Sequence, residues 1–184
     1  MVVKRVLRVV SKEYRMAVSL MTVYAEDMFK MDMDDSQFKI IVPEFQRDLV
    51  WEPEQKVRWI ESMISGYPLP SLFMNTFWEK PLDYDGCPDE HHVIVIDGQQ
   101  RLNAVKEFIQ DKFPVQGCYY SEQALPFKRR FRYGICCTIY WTQFKTMRES
   151  IELYLGLLRN GKPHSGDDIQ RAQDQLKLFK EVKV

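Results

Sequence analysis

The sequence predicts an α+β domain, a small mixed sheet with packed helices and a helical C-terminal extension. Three observations carry this expectation. Short apolar or β-branched runs alternate with helical periodicities through the first part of the chain. Residues 144–159 and 166–181 carry helical patterns, so the last third is mostly helical. The 184 residues are 45% hydrophobic and 13% aromatic, enough for a real core and too apolar for disorder. No internal repeat or low-complexity linker divides the chain. We expect one compact domain with an N-terminal helical segment at 1–36, a core at 37–118, and a strand plus helical extension at 119–184.

The elements follow in order. Residues 13–31 are rich in Met, Ala, Leu and Tyr, lack Gly and Pro, and read as a helix. Lys39 to Val42 is a short β-like run ended by Pro43. Pro53 suits a first helical turn, and Val57, Ile60 and Ile64 mark a buried helical face. Gly66 stops that helix, and Pro68 and Pro70 prevent its resumption. Ser71 to Phe77 reads as a strand. Residues 79–92 hold Pro81, Gly86, Pro88, Asp83, Asp85, Asp89 and Glu90, the composition of an exposed loop. Val93 to Ile96 is a buried strand, a tight turn follows, and Leu102, Val105, Phe108 and Ile109 recur at helical spacing. Phe113 to Gly117 is a connector, and Gly134 to Trp141 is β-like. Asn160-Gly161 and Pro163 part the last two helices.

Lys+Arg and Asp+Glu both number 26, so bulk charge does not point to a strongly basic nucleic-acid binder. The charge is uneven. Lys4, Arg5, Arg8, Lys12 and Arg15 form one basic run, and Lys128, Arg129, Arg130 and Arg132 another. Glu26, Asp27, Asp32, Asp34 and Asp35 form an acidic one. Each reads as a solvated face or, for a basic run, as a contact to nucleic-acid phosphates. Cys87, Cys118, Cys136 and Cys137 make no C-x-x-C pair, which fits free thiols in a reducing cytosol. No apolar run approaches transmembrane length and no secretory leader is recognisable, so a cytoplasmic protein without membrane contact is expected. His91-His92 are poorly spaced for two metal ligands on one strand face, and His164 on a helix connector reads as solvent-exposed.

Chemistry concentrates at Val95-Ile96-Asp97-Gly98-Gln99-Gln100-Arg101-Leu102. An apolar strand stops at an acid and a glycine, and a polar cluster opens the next helix. Helix N-termini present free N–H groups and partial positive charge, so they hold anions. Gly98 permits close backbone approach, and Arg101 brings a planar fork suited to phosphate oxygens. Asp97 is equally a favoured helix N-cap, and Arg101 equally a partner for Glu107 or another surface acid. A second cluster, Val42-Pro43-Glu44-Phe45-Gln46-Arg47-Asp48-Leu49-Val50-Trp51, sets an amide and an arginine after a proline-ended extended segment. Phe45 and Trp51 read as packing residues before base-stacking platforms.

The segments VPEFQRDLVW, IESMISGYPLPSLF and VIDGQQRLNAVKEFI resemble, in order and spacing, three blocks of the DGQQR-motif N-terminal domain of GmrSD-type restriction systems, within the wider ParB/sulfiredoxin superfamily. The resemblance covers residues 38–115, with a weaker echo at Tyr154 to Asp168 in LLRNGKPHSGDDI. It implies a ParB/sulfiredoxin-like fold and a nucleoside triphosphate site with Mg²⁺. By position it assigns Gln46, Arg47, Gly98 and Arg101 to nucleotide binding and Asp97, Gln99, Gln100 and Arg101 to catalysis. In that reading Arg101, Arg47 and the turn amides neutralise phosphate charge. Gln99 or Gln100 orients an attacking water, and Asp97 holds Mg²⁺ directly or through water.

The expected function is an NTP-binding, NTP-hydrolysing protein of DNA transactions, restriction or anti-restriction, and a free-standing copy this short suits a phage or mobile element. Three alternatives stand beside it. One is a metal-dependent nuclease or nickase holding DNA through Lys128, Arg129, Arg130 and Arg132, although no multi-carboxylate metal centre is visible. Another is a regulator that binds a host or restriction-system protein through Phe127, Phe131, Tyr133, Tyr140, Trp141 and Phe144. The last is a phosphoryl-transfer enzyme, which shares the phosphate-positioning needs of a hydrolase.

Overall fold

The computed structural model describes residues 19–24, 39–77, 81, 83, 92–133, 135–160 and 166–179. The elements are β1 (Ser19–Tyr24), β2 (Lys39–Ile41), α1 (Pro53–Ser65), β3 (Leu72–Phe77), β4 (His92–Asp97), α2 (Gln99–Ile109), α3 (Leu125–Tyr133), β5 (Cys136–Thr142), α4 (Met147–Asn160) and α5 (Gly166–Leu178). The strands form one five-stranded mixed sheet in the order β1-β5-β3-β4-β2. β1 with β5 and β3 with β4 are antiparallel, whereas β5 with β3 and β2 with β4 are parallel. The fold is α+β.

Helices cover both faces of the sheet. Val93 and Val95 of β4 join Leu72, Met74 and Ile139 in a core that includes Ile60 and Met63 of α1, Val105 and Phe108 of α2, and Phe131 of α3. Ile94 and Ile96 point the other way, into Ile151, Tyr154, Leu155 and Leu158 of α4 and Ala172 of α5. Burial on both faces explains why β4 reads as an unbroken apolar run rather than an alternation. All four of its apolar residues are buried to 1% exposure or less.

Two elements depart from the sequence expectation. The helix expected over 13–31 lies within the described residues only at Ser19–Tyr24, and there the chain is a strand paired along its length with β5. Long-range pairing with a sheet partner outweighs local helical composition at this position. α3, which the charge pattern masked, packs Phe127 and Phe131 against Phe108 and Tyr120. The loop expected at 79–92 lies outside the described residues apart from Pro81, Asp83 and the strand residue His92. The acidic run at 26–35, the basic run at 4–15, Cys87, His91 and His164 lie outside them too. No described helix is long and apolar enough to cross a membrane.

Candidate functional site

β4 ends at Asp97, and the next residue turns the chain into α2. Gly98 has φ +108° and is the N-cap of that helix, which carries no side-chain cap hydrogen bond. Asp97 is therefore the last strand residue rather than the cap. A register irregularity in the β3–β4 ladder falls between Phe73, opposite Asp97, and Met74, opposite Val95. Such irregularities bend a strand and re-aim its end.

The 45–51 loop is fastened over this turn by two glutamines. Gln46 is buried, and its Nε2 donates to Val95 O at 2.7 Å and Ile96 O at 2.6 Å. β2 pairs with β4 only as far as Ile94, so the Gln46 amide takes over where the strand stops. Gln100 is also buried. Its Oε1 accepts from Val50 N at 3.0 Å and Trp51 N at 3.2 Å, and its Nε2 donates to Asp48 O at 2.8 Å. The two polar clusters of the sequence thus meet, through hydrogen bonds that cross about fifty residues of chain.

Arg101 is held on two sides. Its Nη1 donates to Pro70 O at 3.0 Å and Ser71 O at 2.9 Å, and its Nη2 pairs with Asp97 Oδ2. Its partner is thus Asp97; Glu107 pairs with Lys56 of α1 at 2.6 Å. Arg47 stands beside the turn, its Nη1 3.6 Å from Asp168 Oδ2 of α5. Gln99, the first helical residue, has a buried Oε1 with no hydrogen-bond partner among the described residues.

The structure adds residues that sequence reasoning missed. Arg171 of α5 donates to Gln46 O at 3.2 Å. Tyr154 of α4 is buried and lies 5.2 Å, ring to ring, from Phe45. Burial pushes its phenol pKa up, the charges of Asp168 and Asp97 add to that, and Arg47 and Arg171 oppose it. Charges from the turn, the loop and α5 therefore converge near one buried hydroxyl. A signal for Asp168 was present: it closes the weaker sequence echo and lies four residues before Ala172, on the buried stripe of α5.

The other candidates lie elsewhere. Arg129 and Arg130 are exposed on α3, and Lys128 Nζ donates to Ser121 O at 2.6 Å. The side chain of Arg132 lies outside the described residues. Of the aromatic anchors, Phe131, Trp141 and Phe144 are buried, Phe127 packs on Phe131, and Tyr140 stacks on Phe73 at 4.8 Å. Trp51 meets Trp59 edge to face, a packing role. Among the described residues, no three His, Cys, Asp or Glu side chains are grouped to hold a metal.

The geometry defines a class: an α+β domain with a polar site where an interior strand passes through a glycine into a helix, roofed by a Gln-Arg loop. The chain belongs to the family of the GmrSD restriction endonuclease N-terminal domain, whose model matches residues 26–182. That family ties the chain to restriction systems and so to a DNA-related setting. No curated protein matches the chain.

Proposed function

We propose that this domain binds a nucleoside triphosphate at the β4–α2 turn and hydrolyses it, serving restriction or anti-restriction. The observation that carries the reading is the clamped loop: Gln46 and Gln100 pin residues 46–51 over the first turn of α2 and set Arg47 beside it. Among the described residues no side chain caps the helix start. By contrast, α4 has both Asp83, accepting from Met147 N and Arg148 N, and a Thr146–Glu149 capping box. An uncapped helix start beside an arginine suits phosphate. The ParB/sulfiredoxin kinship implied by the sequence blocks belongs to the same proposal.

The residues divide the work. Arg47, whose side chain is 29% exposed, and the first amides of α2 take the phosphates. Arg101 acts through the segments it ties, fixing Pro70, Ser71 and Asp97 around the turn. Gln100 fixes the loop. The attacking water falls to Gln99, whose side-chain oxygen is buried with no partner among the described residues and would turn outward to accept it. Mg²⁺ commonly binds through one carboxylate together with substrate phosphates, and Asp97, with a side chain 35% exposed at the turn, is the carboxylate that fits. Such an ion, when bound, would neutralise charge on the phosphates. The exposed Arg129 and Arg130 of α3 are assigned to DNA phosphates.

Titration of a nucleoside triphosphate panel by calorimetry and thermal shift tests the reading. At least one triphosphate is expected to bind and raise the melting temperature. Arg47→Ala is expected to weaken binding about tenfold or more, a loss of about 1.4 kcal/mol. Gln99→Ala is expected to lower phosphate release while binding persists. Absence of binding by every triphosphate, with and without Mg²⁺, would overturn the proposal.

A further inference from the structure

The last helix reaches the site from the far end of the sequence. Arg171 holds the backbone oxygen of Gln46, while β4 holds the same residue through its side-chain amide. The chain just before Arg47 is therefore gripped from two sides, and the Arg47 guanidinium is faced by Asp168.

Asp168 lies in the first turn of α5, where an acid is favoured, yet its side chain is turned inward and buried. It shares the buried stripe of α5 with Ala172, and Ile169 beside it packs into the same core. A carboxylate there is unfavourable unless cations or hydrogen bonds compensate it. The ion pair is also asymmetric, with the acid side chain 10% exposed and the arginine 29%. The acid is the inner partner, and the arginine carries the pair toward solvent. An inner carboxylate that orients an outer ligand-binding group is a recurring device in sites where geometry matters.

We propose that Asp168 is a positioning residue that orders the Arg47 guanidinium for ligand phosphate, making α5 part of the site. The ligand class rests on the nucleotide reading, but the ordering of Arg47 does not. Two measurements keep them apart. In the ligand-free protein, ¹⁵N relaxation of the Arg47 Nε–Hε group is expected to report a rigid side chain, and Asp168→Asn is expected to make it mobile. Equal mobility in both proteins would overturn the inference, whatever nucleotides do. Second, triphosphate affinity is compared in the parent, Asp168→Asn, Arg47→Ala and the double variant. Asp168→Asn should weaken binding about tenfold, and its effect should vanish in the Arg47→Ala background. Affinity that is unchanged or tighter in Asp168→Asn, or a loss that persists without Arg47, would overturn it. Asp168→Glu keeps the charge one methylene away, and partial recovery of both readouts is expected. If Asp168→Asn does not fold, Asp168→Glu against the parent supplies the same two readouts, with an intermediate loss expected and no change counting against the inference. A parent protein that binds no triphosphate sinks the nucleotide reading alone, because the relaxation measurement still decides the role of Asp168.

Discussion

A Cβ at Gly98 would stand 2.1 Å from Leu72 Cδ2, at a backbone φ of +108° that L side chains rarely adopt. Leu72 is 1% exposed, so its side chain has no room to swing aside. Gly98→Ala should therefore cost about 3 kcal/mol from strain and overpacking together. For a chain of this size that corresponds to a fall of about 6–12 °C in melting temperature, readable by calorimetry. Gln100 makes a different case. Gln100→Leu strands the Val50 and Trp51 N–H groups and the Asp48 carbonyl. Asp48 and Val50 are exposed, so water replaces part of what is lost and the cost is about 1 kcal/mol. Amide exchange at Val50 and Trp51 should accelerate while exchange in β4 holds, and unchanged protection in the loop would refute the clamp. Sequence blocks marked Gln46, Gln100 and Arg101 as a group, but their roles were not legible. An amide's partner here is a backbone atom about fifty residues away, and only packing shows which amide is occupied and which, like Gln99, has an oxygen with no partner among the described residues.

The strand–turn–helix from His92 to Ile109 was readable because an unbroken apolar run gives way to helical spacing at one glycine. The ends of α1 at Pro53 and Gly66 were readable for similarly local reasons. β1 was not, because its strand state depends on pairing with β5, more than a hundred residues later. α3 was hidden because its basic residues dominate the segment and its apolar contribution is the pair Phe127 and Phe131. Contacts between elements lie beyond local patterns as well, and the Lys56–Glu107 pair joining α1 to α2 is one. Burial alone would raise the Glu107 pKa, but the hydrogen bond from Lys56 and the charges of Lys56 and Lys112 outweigh it and hold the group below 4.5. The unfolded chain then keeps this proton to higher pH than the folded one. The stabilisation is fully present above the unfolded value and fades as pH falls through the lower folded value. Lys56→Met should flatten that part of the acid limb in urea-midpoint measurements below pH 4.5. An acid limb identical to the parent's would show that the pair contributes nothing across this helix contact. At α4, Asp83→Ala removes an acceptor from two N–H groups of the first turn, and should cost about 1 kcal/mol in the same assay.

At the scale of the molecule, sheet order decides which part of the chain can stand alone. β5 lies between β1 and β3, so the sheet's interior is completed by the last third of the sequence. α4 and α5 then cover the face formed by Phe77, Ile94 and Ile96, and α5 supplies the two residues that hold Gln46 and Arg47. Residues 37–118 alone would keep β2, β3, β4, α1 and α2. They would leave β3 without its parallel neighbour, expose one whole face of the sheet, and lose Phe131 from the aromatic cluster around Phe108. A domain's net stability is about 5–15 kcal/mol, and each large core side chain removed costs about 3–5 kcal/mol, so several such losses exceed what the remaining contacts supply. The 37–118 fragment is therefore expected to give a collapsed amide proton spectrum and no cooperative melt, whereas the full chain melts in one transition. A dispersed spectrum with a sharp melt from the fragment would show that the three sequence blocks fold without the later elements. Asp168 would then be dispensable for the turn's shape, and its link to Arg47 would be a later addition to a self-sufficient core.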